Sequence, residues 1–157
     1  MAVNRGKDFE DVIRKAIASV PNVSIVRLQD PMAGYLGSGN ACDFIVYRYP
    51  NQFFIECKTI HGNTFPLSNI SYNQWTRLLE VSHIRGVVAG IICWWVDKDV
   101  TMFMPIQTLS NLKFKGAKSV RFDYLNPKFT VLKGTKKRVF FDYDMKTFFS
   151  EVKKHGN

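Results

Sequence analysis

Residues 42–60 read CDFIVYRYPNQFFIECKTI, and this stretch decides the fold. Two runs of β-branched and aromatic residues flank Pro50-Asn51, a pattern that predicts a β-hairpin. Asp43, Glu56 and Lys58 lie inside these apolar runs, although charged side chains are seldom fully buried without a partner. The hairpin therefore predicts a site where these three charges meet a metal ion, a substrate or one another.

The spacing of the charges places them on one face of the hairpin. Side chains alternate along a strand, so Glu56 and Lys58 point the same way. A turn centred on Pro50-Asn51 puts Asp43 opposite Lys58. Asp43 and Glu56 then become diagonal neighbours, about 7–8 Å apart at the backbone.

Two carboxylates at this separation can share one hard divalent cation such as Mg²⁺. Lys58 beside them would orient a water nucleophile or neutralise charge on a phosphate. The alternative is an ordinary salt bridge between Asp43 and Lys58 on a solvated sheet face, with Glu56 merely nearby.

The remaining pattern predicts an α/β fold with a mixed central sheet flanked by helices. At 157 residues the chain is most economically one domain, with a core over about 4–106 and a basic C-terminal extension over about 107–157. Around the hairpin, the predicted elements are helices over 6–19, 71–84 and 144–154 and strands over 23–28, 87–96 and 100–106. Residues 30–41 and 61–69 are predicted loops, the first of them functional because of its length.

The charge distribution favours a polyanionic partner. The chain has 22 Lys and Arg against 13 Asp and Glu, a net charge of +9. Residues 113–138 contain nine basic residues and one acid, Asp123, with interleaved aromatics. A solvated basic face is the simple explanation, but this concentration favours contact with nucleic acid.

Two other classes are disfavoured. The longest apolar run, residues 87–96, is about half as long as a membrane-spanning helix. The N-terminus has no apolar signal core, which predicts a cytoplasmic protein. The three cysteines lie in strand-like runs without CxxC spacing and are predicted to be buried hydrophobic residues in a reducing compartment.

Three motifs resemble a known family. Asp43 followed after twelve residues by Glu56-Cys57-Lys58 resembles the D…ExK core of PD-(D/E)XK nucleases. NRGKDFE, residues 4–10, is similar to the NRGxxFE opening of the RecU-type Holliday junction resolvases, and PLSNI (66–70) with Gln74 is similar to their PLxxIxxHQ segment. The motifs span residues 4 to about 96, and archaeal junction resolvases share the acid spacing. Asn73 replaces the family's histidine, and Cys42 stands where a threonine is usual.

The resemblance implies a restriction-endonuclease-like core and a Mg²⁺-dependent homodimeric endonuclease, with Mn²⁺ as a substitute metal. Such an enzyme nicks four-way DNA junctions symmetrically in recombination and repair. Asp43 and Glu56 would hold the metal, and Glu10 would complete the acidic cluster directly or through water. Lys58 would assist the attacking water, and Gln74 would orient Lys58 or a phosphate.

DNA-binding residues are expected on both halves of the chain. The candidates for contact with branched double-stranded DNA are Arg5, Arg14, Lys15, Arg27, Ser38, Lys133, Lys136, Lys137 and Arg138. Two alternatives remain open. One is another PD-(D/E)XK enzyme, such as a restriction-like or flap nuclease. The other is a non-catalytic module that stacks single-stranded nucleic acid on residues 113–138.

Overall fold

The computed structural model describes residues 5–29, 39–124 and 126–153. Within these ranges the helices are α1 (Arg5–Ala18), α2 (Tyr72–Ser82), α3 (Ile106–Phe114) and α4 (Met145–Glu151). The strands are β1 (Ser24–Arg27), β2 (Phe44–Arg48), β3 (Asn51–Ile60), β4 (Thr64–Pro66), β5 (Val87–Trp95), β6 (Val100–Pro105), β7 (Ser119–Arg121), β8 (Thr130–Val131), β9 (Gly134–Lys136) and β10 (Phe141–Tyr143).

A mixed sheet of six strands forms the centre of the described chain, in the order β1-β2-β3-β5-β6-β8. Strands β3 and β5 are parallel, while the other neighbouring pairs are antiparallel. Helix α2 lies in the crossover that a parallel pair requires. The predicted fold class, α/β with a mixed central sheet flanked by helices, is confirmed.

Two apolar clusters cover the two faces of the sheet. On one face, α1 and α4 pack against residues such as Phe53, Ile55 and Trp94. On the other face, α2 and α3 pack against residues such as Ile91 and Trp95. Strand β5 contributes to both clusters, as its continuously apolar sequence predicts for a central strand.

The hairpin forms as predicted, but with a different register. Arg48 pairs with Asn51, and the two-residue turn between them is Tyr49-Pro50, joined by a cis peptide bond. The predicted turn centre at Pro50-Asn51 is therefore wrong by one position, and the pairing shifts by two residues. Because the shift is even, each side chain keeps its predicted face. Asp43 now lies opposite Glu56 instead of Lys58.

Two further predictions are changed by the structure. Residues 61–69, predicted as a loop, include strand β4, which pairs with β7, and a 3₁₀ turn over Leu67–Asn69. The helix near 144–154 is α4, and its apolar residues Met145, Phe148 and Phe149 are buried in the core.

Cys42 and Cys93 are buried and Cys57 is half-buried, all three as free thiols.

Residues 30–38 of the predicted functional loop lie outside the described residues. The division into a core and a basic extension stays a prediction. None of the helices in residues 5–29, 39–124 and 126–153 combines the length and apolar character needed to span a membrane.

The packing of α1 on the sheet gives a test of the fold. Ile13, on α1, is fully buried, whereas Ile84, after α2, is 56% exposed. We expect Ile13→Ala to lower the free energy of unfolding by about 2–5 kcal/mol, since it leaves a cavity in the core. Ile84→Ala is the matched control and should change it by about 0.5 kcal/mol or less. Urea unfolding measures both, and equal losses would contradict the packing of α1.

Candidate active site

A pair of carboxyl groups lies where the β2–β3 ladder ends. Asp43 directly precedes β2, and its amide donates to the Ile55 carbonyl at 3.1 Å. Its Oδ2 accepts a hydrogen bond from the Cys57 amide at 2.8 Å. At this end of the ladder the Asp43 side chain therefore takes the place of a backbone carbonyl as the acceptor. The Asp43 and Glu56 carboxyl groups share a hydrogen bond, and Glu56 is only 6% exposed. The structure thus brings the two predicted metal ligands into direct contact.

Lys58 and Gln74 both contact Glu56. The Lys58 Nζ lies 3.1 Å from Glu56 Oε2, and Gln74 Nε2 donates to the same oxygen at 2.8 Å. Lys58 therefore shares the face of the two carboxyl groups, as the strand alternation predicts. The amide group of Gln74 thus holds the Glu56 carboxylate, and its predicted role in orienting Lys58 or a phosphate stays a prediction.

The position of Gln74 follows from the start of α2. Ser71 caps the helix through a hydrogen bond from the Gln74 amide to Ser71 Oγ at 3.2 Å. Gln74 Oε1 accepts in return from the Ser71 amide at 3.0 Å. This reciprocal capping box fixes the Gln74 side chain and leaves its Nε2 to donate to Glu56. The sequence pattern of a serine three residues before a glutamine, Ser71 and Gln74, predicts such a capping box.

Burial makes ionisation of the carboxyl pair unfavourable. Burial, with the charge of Glu56 beside it, raises the pKa of Asp43 from 3.8 to about 8. Burial also raises the pKa of Glu56 above 4.5, against the opposing effect of Lys58. The two groups therefore retain one shared proton at neutral pH. Two carboxylates in contact repel each other, and the ammonium group of Lys58 offsets only part of this repulsion.

The donor chemistry of this pair fits Mg²⁺ or Mn²⁺. Carboxylate oxygens are the ligands that hard divalent cations prefer. A divalent cation would replace the shared proton and allow both Asp43 and Glu56 to ionise. In the part of the chain that the structure describes, no cluster of three or more His, Cys, Asp or Glu side chains is placed to hold a metal ion. The protein would therefore hold the cation mainly through these two residues.

Glu10 does not join the pair in one group. Its Oε1 accepts a hydrogen bond from Arg27 Nε at 2.7 Å. Its negative charge contributes to the raised pKa of Asp43, although less than burial and the charge of Glu56 do. A role for Glu10 in the acidic cluster stays a prediction.

The predicted DNA-binding residues fall into two groups, one on α1 and β1 and the other around the β9–β10 hairpin. Near the β1 edge, Arg14 and Lys15 pair with Asp11 at 2.6 and 3.0 Å, and Arg27 pairs with Glu10. Arg5 is exposed at the start of α1. Roles for these residues in DNA binding stay predictions.

The second group lies around the β9–β10 hairpin, which packs against α1 through the contact of Tyr143 with Phe9. Lys133 lies 3.5 Å from Glu151, and Lys136 forms an ion pair with Asp99. Lys137 and Arg138 are exposed. The roles of these residues in DNA binding stay predictions, and Ser38 lies outside the described residues.

Asp43, Glu56 and Lys58 on adjacent strands of a mixed sheet have the arrangement of a PD-(D/E)XK nuclease core. A model of the family described as Recombination protein U matches residues 4–146. The chain belongs to this family, the RecU-type Holliday junction resolvases that its motifs resemble. The match extends beyond the motifs, which end near residue 96, and runs through the basic segment 113–138.

Among solved structures, the chain is similar to Hjc from Archaeoglobus fulgidus, described as a Holliday junction resolvase from an archaeal hyperthermophile. The two are 20% identical over 67% of this chain and 78% of that chain, with a TM-score of 0.43. No curated protein matches the chain by sequence.

The shared proton predicts a pH dependence of stability in metal-free buffer. Asp43 ionises near 3.8 in the unfolded chain and near 8 in the folded protein, so the folded state binds the extra proton between these values. Stability should therefore fall as the pH rises from about 4 to 8. Asp43→Asn removes this ionisation. Between pH 4 and 8 the free energy of unfolding of the variant should therefore rise by at least about 1 kcal/mol relative to that of the wild type.

Thermal unfolding in a chelator between pH 5 and 8 measures the difference. Asp142→Asn is the control, because Asp142 is exposed on β10. Its stability should run parallel to that of the wild type. If Asp43→Asn runs parallel as well, the carboxyl pair does not share a proton.

Proposed function

We propose that the protein is a Mg²⁺-dependent endonuclease that nicks four-way DNA junctions symmetrically, as a homodimer, in recombination and repair. The observation that carries the proposal is the hydrogen-bonded pair of Asp43 and Glu56 with Lys58 at 3.1 Å from Glu56. It supports phosphodiester hydrolysis because two carboxylates and an ammonium group lie on the same face of the sheet. Membership of the RecU family supports the junction as the substrate.

Asp43 and Glu56 would hold the metal ion. When bound, the ion supplies Lewis acidity toward a phosphate and lowers the pKa of a water molecule. Asp43 is oriented for this role by the Cys57 amide, and Glu56 by the Gln74 side chain. Both carboxylates are therefore held in place by hydrogen bonds before the substrate arrives.

Lys58 would act on the attacking water or on the phosphate. Its ammonium group has three donors, and the contact with Glu56 uses one of them. The side chain is 24% exposed, so it reaches the solvent side of the carboxyl pair. Lys58 can then donate to a phosphate oxygen while its charge favours the ionised form of Glu56.

The charge distribution supports binding to a branched duplex. Phosphate contacts give affinity without sequence readout, and a net charge of +9 favours them. Basic residues lie on α1 and β1 and around the β9–β10 hairpin, so one subunit offers two basic segments for contact with the DNA backbone. A four-way junction has approximate two-fold symmetry, and a C2 dimer presents two equivalent sites to it.

Cleavage assays with metal-ligand variants test the enzyme proposal. We expect Asp43→Asn and Glu56→Gln to abolish Mg²⁺-dependent nicking of a labelled four-way junction and to retain binding to it. Lys58→Met should lower the nicking rate by about 10²–10⁴-fold, since it removes a group that assists proton transfer. Glu80→Gln, at an exposed acid of α2, is the control and should leave the rate unchanged.

Three substrates separate the proposed activity from its alternatives. Paired symmetric nicks on the junction, with a replication fork and a linear duplex left intact, are the expected result. General cleavage of the linear duplex would exclude junction selectivity and leave a different nuclease of the same superfamily. Binding without metal-dependent cleavage of any substrate would exclude the enzyme proposal.

A mixed dimer tests the stoichiometry of the sites. We expect a heterodimer of wild type and tagged Asp43→Asn to nick one strand of the junction and not the opposing one, since each subunit would carry one site. Gel analysis of each labelled strand measures this outcome. A monomeric mass by light scattering at assay concentration, with two paired nicks still produced, would contradict the dimer.

A further inference from the structure

A groove lies between the start of α2 and the end of α3, and its lining does not include Gln74, the residue of α2 that contacts Glu56. Its volume is about 430 Å³, within the usual range of about 300–1,000 Å³ for ligand pockets. The residues that line it are Leu67, Ser68, Ile70, Tyr72, Trp75, Lys113, Ala117 and Lys118. We call it the α2–α3 groove.

Two aromatic residues give this groove surfaces for stacking. Tyr72 and Trp75 are three positions apart and lie on the same side of α2. Trp75 is mostly buried, with Lys113 Nζ 4.8 Å from its ring centroid, whereas Tyr72 is 84% exposed. An exposed tyrosine ring next to a groove is available to a flat partner.

The charges around the groove favour an anionic ligand. Lys113 and Lys118 line it, and none of its lining residues is acidic. At the end of α3, next to Lys113, Phe114 is 93% exposed and Lys115 is also exposed. A basic groove with exposed aromatic rings is the usual construction of a site for single-stranded nucleic acid.

The α2–α3 groove is close to the carboxyl pair. Gln74 contacts Glu56 and belongs to the same turn of α2 as Tyr72 and Trp75. The groove and the pair are therefore separated by about one helix diameter, roughly 10–12 Å. A DNA strand advances about 3.4 Å per nucleotide along its axis, so a few nucleotides bridge this distance.

We propose that the α2–α3 groove binds an unpaired nucleotide of the DNA strand whose phosphodiester lies at the carboxyl pair. The base stacks on Tyr72, and its phosphate lies between Lys113 and Lys118. This inference rests on the proposed function for the identity of the ligand as DNA. It adds a second contact on the cleaved strand, which a fully paired duplex cannot make without losing a base pair.

Binding of single-stranded oligothymidine in metal-free buffer tests the groove without cleavage. In an Asp43→Asn background, Tyr72→Ala should weaken binding about fivefold or more, as the loss of one stacked base does. Tyr72→Phe keeps the ring and should bind within about twofold of the parent. Lys118→Gln should reduce the slope of log affinity against log salt by about 0.7.

Tyr47→Ala is the matched control, because Tyr47 is a half-exposed tyrosine on β2, away from the groove. It should bind oligothymidine like the parent. Tyr72 is exposed, so its variants should also unfold at the parent's temperature. Equal affinity of Tyr72→Ala and the parent would overturn the proposal, and so would an equal loss in Tyr72→Phe and Tyr72→Ala.

A photocrosslink locates the contact on the junction. With 5-iododeoxyuridine placed one to four nucleotides from the nicked bond, we expect crosslinked peptides that contain Tyr72 or Phe114. Crosslinks confined to other segments would overturn the proposal. Failure of the two proposals is distinguishable: Mg²⁺-dependent nicking with unaffected Tyr72→Ala excludes the groove alone, whereas ring-dependent binding without nicking excludes the nuclease alone.

Discussion

The contact between the Asp43 and Glu56 carboxyl groups is unfavourable on its own, and the surrounding fold has to hold it in place. Two acids in a mostly apolar setting repel when ionised, and only the surrounding fold can keep them together. Strands β2 and β3 supply adjacent backbones, and the clusters on both faces of the sheet hold those strands rigid. Binding of a divalent cation would relieve the repulsion between the two carboxylates and would therefore stabilise the folded protein.

Helix α2 connects this contact to the outer surface. Its capping residue Ser71 fixes Gln74, and Gln74 holds Glu56. In the same turn of the helix, the side chain of Tyr72 lines the α2–α3 groove together with Lys113 and Lys118. A movement of this turn would therefore change the carboxylate and the α2–α3 groove together. A short helical start thus serves helix capping, positioning of a metal ligand and, in our proposal, DNA binding.

Strand alternation made the shared face of Asp43, Glu56 and Lys58 predictable, since an even register error cannot change a face. The pairing itself was not predictable, because proline fits either central position of a turn and so leaves the turn centre open. The contact of Glu10 with Arg27 depends on how α1 is placed over β1, which no local pattern encodes. The groove joins Trp75 to Lys113 across a long stretch of sequence, and Trp75 alone reads as a core residue.

The hydrogen bond from the Cys57 amide to Asp43 has a consequence for observing the site. This amide belongs to the central hairpin, yet its acceptor is a titrating carboxylate instead of a backbone carbonyl. Its proton resonance is therefore sensitive to the charge on Asp43. The neighbouring amides of β3 donate to backbone carbonyls, which do not titrate. One backbone signal in a nitrogen-15 spectrum thus serves as an intrinsic indicator of whether the carboxyl pair holds a proton or a cation.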